Sequence, residues 1–463
     1  MASPSPPSTA PSGSRLLARL GLHRPDLRAW ALYDWANSAF ILVVITAVFP
    51  IYYQQVAART LDPEVATARF GAVTTIALLV VAVLAPLLGA LADFLGKRKA
   101  IMAAFVGLGV VATASLALVG PDDWVLALVL FALGNLGVST SFVFYDALLP
   151  YIADEDEIDR VSTAGYALGY LGSGLLLIGI LAMIQRPAWF GLADTGSATR
   201  LGFVLVALWW AVFAVPLFRR VPEPPRTIEA DEHGAPTGAR AALATAVVRL
   251  RETAASLRGD YREAAKMLLA MLIYNDGIGT IIRMAAIYAT TRGLPQEHVI
   301  GAILMVQFVG VPCAFLFGLL AQKIGAKRAI LGALVVYMGI SVLAYRMETV
   351  TAFYALAFLV GTVQGGAQGL SRSLFASMVP RHKAAEFFGF FSVFEKFAGI
   401  AGPAIFTAMI WLTGSSREAI LSVIVFFVVG GALLARVDVE AGRRRAQAIN
   451  RSIAPSDDSA TDA

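Results

Sequence analysis

Hydrophobic stretches of membrane-spanning length recur along this chain, and they constrain its fold more than any other feature. Each approaches the roughly 20 apolar residues that a helix needs to cross about 30 Å of hydrocarbon. Because lipid satisfies no backbone hydrogen bonds, such a segment must be a helix or a strand of a closed barrel, and these stretches lack the alternation of barrel strands. The sequence therefore predicts an all-α polytopic membrane protein with twelve transmembrane spans. The spans lie at about 29–53, 71–92, 100–119, 124–151, 161–184, 200–218, 265–289, 298–320, 328–345, 350–374, 385–411 and 417–435.

The longest polar segment, residues 219–264, separates six spans from the other six. The predicted organisation is a disordered, cytoplasmic N-terminus at 1–28, a six-helix bundle at 29–218, a linker at 219–264, a second six-helix bundle at 265–435 and a cytoplasmic tail at 436–463. We expect the tail to be disordered from Gly442 onward. In the linker, an apolar stripe beside several arginines predicts an amphipathic helix on the anionic inner leaflet. The stripe consists of Leu243, Val247, Leu250, Ala254 and Leu257.

Lysine and arginine are concentrated in the loops that face the cytoplasm when both termini are placed there, as the positive-inside rule requires. The formal net charge of +5 therefore reflects membrane topology, and we expect no nucleic-acid partner. The arginine-rich composition, with no organelle signal, favours a bacterial inner membrane. The one cysteine, Cys313, lies in a span, and the four histidines lack ligand spacing, so we predict no metal, no cofactor and no enzymatic activity.

The first span carries polar residues on a single face. Asp34, Asn37, Ser38 and Ile41 occupy positions i, i+3, i+4 and i+7, which lie on one side of a helix. An ionisable group inside a membrane costs roughly 2.5–3.5 kcal/mol on insertion scales, so it normally faces a partner or a water-filled cavity. We therefore expect this face to line a cavity inside a helix bundle.

A loop motif appears once in each half of the chain. The first copy, a candidate gating loop, contains Gly89, Asp93, Gly96, Lys97 and Arg98. The second copy, at 318–328, has Gln322 where the first has its aspartate, and Tyr-Asn-Asp at 274–276 echoes Tyr-Asp at 33–34. A parallel repeat of this kind is typical of duplicated transporters. It predicts two pseudo-symmetric six-helix bundles.

The twelve spans, their 6+6 layout and the loop motif resemble the major facilitator superfamily. Within it, the segment 33–40 and the glycine- and glutamine-rich segment 364–373 resemble the vacuole-effluxer-like permeases, also called the unknown major facilitator family. The resemblance covers residues 29–435. It implies a secondary transporter that works by alternating access, with spans 1, 4, 7 and 10 around a central cavity. Fungal relatives are associated with amino-acid efflux from the vacuole, so amino acids are the expected substrate class.

The strongest polar residues fall on the four spans that the resemblance places around this cavity. The candidate substrate and coupling residues are Tyr33, Asp34, Asn37, Asn135, Tyr145, Asp146, Tyr274, Asn275, Asp276, Arg283, Gln364, Gln368 and Arg372. Glu395 on span 11 is a further candidate for proton binding, and packing against the loop motif that follows span 2 is the alternative. The glycines of span 5, including Gly165 and Gly169, are interpreted as helix-packing residues.

Asp34, Asp146 and Arg372 are each predicted near the inner third of the membrane. Because an opposite charge favours an ionised carboxylate and burial disfavours it, breaking such a cluster can drive proton uptake and release. The alternative is a static ion pair that only fixes helix packing. Asp276 and Arg283 can hold the ammonium and the carboxylate of a zwitterion, since arginine grips a carboxylate with two hydrogen bonds. A structural ion pair is again the alternative.

These observations leave several kinds of transport protein open. We expect a monomer in the lipid bilayer that binds a small-molecule substrate and a proton or another coupling ion. A carrier of drugs, sugars or lipids, and a sensor built on a transport fold, are the alternatives to an amino-acid exporter.

Overall fold

The computed structural model describes residues 12–225, 239–291, 295–398, 401–414 and 416–453. Eleven helical segments within these residues are long and apolar enough to cross a membrane, and the remaining predicted span, span 11, is divided into two shorter helices. The predicted all-α membrane fold is confirmed. Spans 1 to 6 are Pro25–Ala57, Pro63–Leu95, Arg98–Leu118, Trp124–Ile152, Ile158–Gln185 and Thr195–Arg220. Spans 7 to 12 are Arg262–Thr291, Gln296–Ile324, Ala326–Tyr345, Val350–Ala376, the pair Ala384–Phe397 and Ala401–Thr413, and the pair Ser416–Ser422 and Ile424–Ala435.

Span 11 is divided into two helices, whereas the sequence predicts one continuous span at 385–411. The second helix, Ala401–Thr413, has Gly402 and Pro403 in its first turn. Proline is tolerated at the start of a helix because its missing N–H would have no intrahelical partner there, but it breaks a helix interior. A new helix therefore starts just before Pro403. Its first N–H groups are available to other parts of the bundle.

Span 1 also departs from a regular α-helix. Pro25–Ala39 is α-helical, whereas Phe40–Val48 forms wider, π-helical turns. Pro50, which follows, cannot donate to the carbonyl four residues earlier, and its ring crowds that carbonyl. The turns before it open as a result. Turns of this kind often occur at functional sites, and Asp34 lies in the α-helical part that leads into them.

The two halves of the chain repeat one packing arrangement. Span 1 packs on spans 5 and 6 and span 3 on spans 4 and 6, while span 7 packs on spans 11 and 12 and span 9 on spans 10 and 12. The loop lysines follow the same repeat. The Lys99 ammonium donates to the carbonyl of Phe218 at 3.0 Å, near the end of span 6, and the Lys327 ammonium donates to the carbonyl of Ala435 at 2.7 Å, at the end of span 12. The predicted pseudo-symmetry is therefore confirmed.

The halves meet along spans 2 and 11 and along spans 5 and 8, with further contacts of spans 5 and 10 and of spans 4 and 11. These contacts reach from the loops at the predicted cytoplasmic end up to Gly174 and Gln307, near the middle of spans 5 and 8. At that end the fit is tight, because a Cβ added at Gly89 would collide with the carbonyl oxygen of Ala385. The interface is thus closed on the predicted cytoplasmic side.

Two terminal segments differ from the predictions of disorder. Ser12–Arg19, inside the predicted N-terminal segment 1–28, is a helix, and Val439–Ile453 is a helix where the tail is predicted to be disordered. Both helices are amphipathic and rest on the protein: Leu17 packs against the core, and Ala446 is buried. Both segments are rich in arginine and alanine, and this polar composition predicts disorder although the two helices pack on the protein. Residues 1–11 and 454–463 lie outside the described residues.

The predicted linker helix is present as Ala239–Ser256, but it packs through a different face. Ala246, Arg249 and Thr253 are buried, whereas Val247 of the predicted apolar stripe is exposed. The reason is electrostatic, because a buried carboxylate on span 11 attracts the arginine to the protein side. Residues 226–238 of the linker lie outside the described residues.

Candidate functional site

Three charged residues predicted at one depth meet between the two halves. The Arg372 guanidinium, from span 10, donates from Nη2 to Asp34 Oδ2 and from Nη1 to Asp146 Oδ1, both at 3.1 Å. The exposed fractions are 2% for Arg372, 4% for Asp34 and 7% for Asp146. We call these three residues the central cluster. It joins spans 1 and 4 of one half to span 10 of the other.

Span 5 completes the surroundings of Arg372. The guanidinium donates from Nε to the Ser162 hydroxyl at 2.9 Å and from Nη2 to the Ser162 carbonyl at 2.8 Å. Aromatic rings cover it as well, with Trp30 at 4.7 Å and Tyr166 at 4.6 Å from the guanidinium carbon to the ring centre. Such rings favour a cation through their negative faces. Arg372 is therefore held by charge, hydrogen bonds and aromatic contact at once.

Tyr145 links the carboxylates to the aromatic wall. Its hydroxyl donates to Asp34 Oδ2 at 2.8 Å, and its ring stacks on Trp30 at a centroid distance of 4.4 Å. The Trp30 indole N–H donates to the Tyr145 carbonyl at 2.9 Å. Tyr33 sits beside this pair and donates its hydroxyl to Ser141 at 2.7 Å. These bonds fix the positions of spans 1 and 4 around the charges.

Gly165 allows span 5 to approach the central cluster. A Cβ at this position would overlap the Asp34 carboxylate and come within 3.0 Å of Arg372 Nη2. The interpretation of this glycine as a helix-packing residue is therefore incomplete, since it packs against the charged site itself. Ser162, Gly165 and Tyr166 lie on successive turns of one span, but their pattern alone does not indicate contact with charged residues of other spans.

The central cluster is electrostatically unbalanced. It contains two carboxylates and one guanidinium. Bringing charges out of water is expensive unless each is paired and hydrogen-bonded. A proton or a cationic group at this place would restore neutrality, so the arrangement can respond to either.

The polar residues of span 7 lie apart from the central cluster. Asp276 is buried and accepts, at Oδ2, a hydrogen bond of 3.0 Å from the Gly402 backbone N–H. This N–H is in the first turn of the second helix of span 11, where a carboxylate is favoured by the helix dipole. Tyr274 and Ser371 share a hydrogen bond of 2.6 Å between their hydroxyl groups, which ties span 7 to span 10. The side chain of Arg283 lies outside the described residues.

The predicted amide residues occupy less defined positions. Asn37 and Asn135 are buried, and the Ser139 hydroxyl donates to Asn135 Oδ1 at 3.2 Å. The predicted candidates Asn275 and Gln364 are half-buried. These residues stay candidates for contact with a substrate.

Span 5 approaches Gln368, and span 11 carries its charged pair side by side. The Tyr170 hydroxyl lies 3.5 Å from Gln368 Oε1. The Lys396 ammonium lies 3.9 Å from Glu395 Oε2. Long side chains bridge the divergence between consecutive helix positions.

The candidate gating loop joins span 2 to span 11. Arg98 forms an ion pair with Asp93 and donates to the His382 carbonyl at 3.1 Å, and the Glu386 backbone N–H donates to Asp93 Oδ2 at 3.0 Å. Gly96 ends span 2 in the left-handed conformation, with φ +62°, which glycine adopts without strain. Lys97, by contrast, is exposed.

Solved structures of the same fold are major facilitator transporters. The human organic anion transporter MFSD10 (TETRAN) superposes with a TM-score of 0.67 at 16% identity, over 92% of this chain and 100% of that one. The proton:xylose symporter XylE superposes with a TM-score of 0.68 at 14% identity, over 94% of this chain and 99% of that one. At such identities the likeness establishes the fold alone. This chain has the fold of a major facilitator transporter.

Sequence relatives then define the family. The family model described as "Vacuole effluxer Atg22 like" matches residues 64–447, and the chain belongs to this family. It is similar to the uncharacterized MFS-type transporter YxiO of Bacillus subtilis, with 37% identity over 414 residues, 89% of this chain and 94% of that protein. It is also similar to autophagy-related protein 22-1 of Penicillium rubens, with 28% identity over 322 residues, 64% of this chain and 51% of that protein. The chain spans about half the length of this fungal relative.

The predicted family resemblance is therefore confirmed. The chain is a multi-pass membrane transporter of the major facilitator type, and it is not an enzyme. Its partners are accordingly the lipid bilayer and a small-molecule substrate.

Proposed function

We propose that this transporter moves amino acids or similar zwitterions across the bacterial cytoplasmic membrane by alternating access, coupled to protons, with both termini in the cytoplasm. The observation that carries the proposal is the central cluster, in which Arg372 of one half binds two carboxylates of the other. Opening the predicted cytoplasmic side separates the halves and must break these bonds. The charge balance of the site therefore changes with each conformational exchange.

Proton coupling follows from this change. Once Arg372 moves away, Asp34 and Asp146 lie near each other without their counter-charge. Two neighbouring carboxylates do not both stay ionised at low cost, so one of them binds a proton. When the halves close again, Arg372 returns and favours release of that proton. The position of the cluster inside the interface makes it the coupling site in this proposal.

The family model is described as a vacuole effluxer, which supports export of a solute, and the charged residues of span 7 are our reason to propose an amino acid. Asp276, near the middle of span 7, offers a carboxylate for an ammonium group, and Arg283 follows two turns later on the same helix. We propose that the protein acts as a monomer, so that the residues of one chain form this site. The polar amides Asn37, Asn275 and Gln364 would contact the rest of the solute.

The test is uptake and counterflow in proteoliposomes with a pool of labelled amino acids, with and without a pH gradient. We expect gradient-driven flux in the wild type. Asp34→Asn should abolish the dependence on the gradient. Arg372→Ala should reduce flux at least about 100-fold, since removing one partner of a buried pair costs about 3–5 kcal/mol and each 1.4 kcal/mol is about tenfold. Asp122→Asn, which changes a half-buried loop aspartate paired with Arg59, is the matched control.

Two results would contradict the proposal. Absence of flux with every amino acid, from folded protein, would overturn the substrate class, and assays with sugars, drugs and lipids would follow. Gradient-driven flux that survives Asp34→Asn, Asp146→Asn and their combination would overturn the assignment of proton coupling to the central cluster.

A further inference from the structure

A second group of buried charges lies where span 2, span 11 and the linker helix meet. It consists of Asp93, Arg98, Arg249 and Glu386, with exposed fractions of 1%, 1%, 2% and 0%. We call these four residues the gate cluster. The motif of the candidate gating loop accounts for Asp93 and Arg98, but Arg249 comes from outside that loop.

Two residues of the linker helix point at one carboxylate of span 11. Arg249 Nη1 lies 3.5 Å from Glu386 Oε1, and the Thr253 hydroxyl donates to Glu386 Oε2. Because Arg249 and Thr253 are four residues apart, they lie on the same face of the helix. The Arg249 guanidinium also lies over the Phe94 ring of span 2, with its carbon 5.5 Å from the ring centre. The linker helix therefore binds both halves through one face.

Arg249 lies within ion-pair distance of Glu386, and it brings the formal charge of these four residues to zero. Arg98 is paired with Asp93, which leaves Arg249 as the guanidinium that faces Glu386. A carboxylate as deeply buried as Glu386 is costly without a counter-charge. If the halves separate at this end, Glu386 becomes accessible to water and no longer needs that arginine. The pair of Arg249 and Glu386 consequently favours the closed interface over the open one.

We propose that the linker helix is a gating element of the transporter and that Arg249 is its positioning residue. The linker helix packs along span 2, so it moves with the first half, whereas Glu386 belongs to the second. Arg249 holds the predicted cytoplasmic side closed by neutralising Glu386 across the interface. This inference rests on the alternating-access mechanism proposed above, and it adds a regulatory position outside the membrane spans.

The experiment measures the separation of the two halves directly. Spin labels are attached at Arg220→Cys and Lys323→Cys, two exposed positions on opposite halves, after replacement of the single cysteine by Cys313→Ser. Electron paramagnetic resonance then gives the populations of closed and open distances in liposomes, without any substrate. We expect Arg249→Ala to raise the ratio of open to closed molecules at least about tenfold, because it leaves a buried charge unpaired.

Control variants separate this role from a general loss of charge. Arg251→Ala removes an exposed arginine from the same helix and should leave the distances unchanged, and Arg249→Lys should stay close to the wild type. Thr253→Val should shift the populations in the same direction by a smaller amount, which serves where Arg249→Ala does not fold. Combining Arg249→Ala with Glu386→Gln should return the ratio toward that of the wild type.

The outcomes also distinguish this inference from the proposed function. Two distance populations in the wild type that Arg249→Ala and Thr253→Val leave unshifted would overturn the role of the linker helix alone. Effects of Arg249→Ala and Glu386→Gln that simply add in the double variant would do the same. A single closed distance in the wild type and in every variant would overturn the opening of this end of the interface, and the gating role with it. Failure of amino-acid flux, by contrast, leaves the distances and the inference intact.

Discussion

The central cluster and the gate cluster both cross the interface between the two halves, yet their charge balance differs. The central cluster has two carboxylates for one guanidinium, whereas the gate cluster has two carboxylates and two guanidiniums. A neutral buried cluster is already paired and needs no other ion to be stable. A cluster with an excess carboxylate changes its energy whenever a proton or a cation arrives. We infer that the two clusters have different roles: the central cluster responds to protons or cations, and the gate cluster holds the predicted cytoplasmic side closed.

The largest expected effect concerns Arg98 of the gate cluster. Arg98→Ala should lower the free energy of unfolding by about 3–5 kcal/mol, because it leaves the buried Asp93 without its counter-charge. The melting temperature of the purified protein in detergent measures this loss. Lys97→Ala is the matched control, since Lys97 is the adjacent cation but is exposed, and a surface charge contributes about 0–1 kcal/mol. Equal melting temperatures for the two variants would show that the gate cluster does not stabilise the fold.

A smaller effect is expected where span 5 touches the central cluster. Gly165→Ala introduces a methyl group that overlaps the Asp34 carboxylate, and overpacking of this kind costs about 1–3 kcal/mol. Transport should fall more than stability, because the carboxylate is pushed out of line with Arg372. Gly179→Ala, in the same span, meets no atom within 4 Å and should change neither flux nor melting temperature. If the two alanine variants have the same flux and the same melting temperature, the close approach of Gly165 to the Asp34 carboxylate is not needed for transport.

The sequence predicts the central cluster better than the gate cluster, and the reason is physical. Asp34, Asp146 and Arg372 stand out because each is a charge within an apolar span, and topology alone puts them at similar depths. The roles of Ser162 and Gly165 depend on contacts between helices, and the residue pattern of a single helix does not reveal such contacts. Arg249 is missed for the same reason. Its helix has a plausible apolar stripe, and only the position of Glu386 explains why another face is buried.

The break in span 11 shows the same limit from another side. The spacing of apolar residues predicts one long span, and the hydrophobic content of 385–411 supports it. The glycine and proline at 402 and 403 divide the segment, and the backbone N–H of Gly402 becomes a partner for Asp276. A polar residue predicted to face the substrate thus also binds the start of a helix. Sequence patterns identify buried polar residues, but their partners are set by irregularities of the backbone.

The smallest expected effect is the change in stability when one aspartate of a cluster is replaced by asparagine. It tests the difference in charge balance most directly, because the change in melting temperature should have opposite signs in the two clusters. Asp146→Asn removes the excess negative charge from the central cluster, and the amide oxygen can still accept the bond from Arg372. We expect a melting temperature equal to or slightly above that of the wild type, by no more than about 1 kcal/mol in unfolding free energy. Asp93→Asn removes a needed charge from the gate cluster and should lower the melting temperature.

Flux measurements on the same two variants complete this argument. Asp146→Asn should be stable and yet respond weakly to a pH gradient, since the cluster no longer has a carboxylate in excess. Asp93→Asn should lose stability while the molecules that remain folded keep their response to the gradient. A loss of stability in both variants would mean that the central cluster, like the gate cluster, is electrically neutral in the wild type. Because its side chains alone are not neutral, a bound cation would then have to supply the missing positive charge. In that case the second carboxylate of the central cluster would already bind this cation, and the residue that couples transport to protons would have to be sought at Glu395 or Asp276.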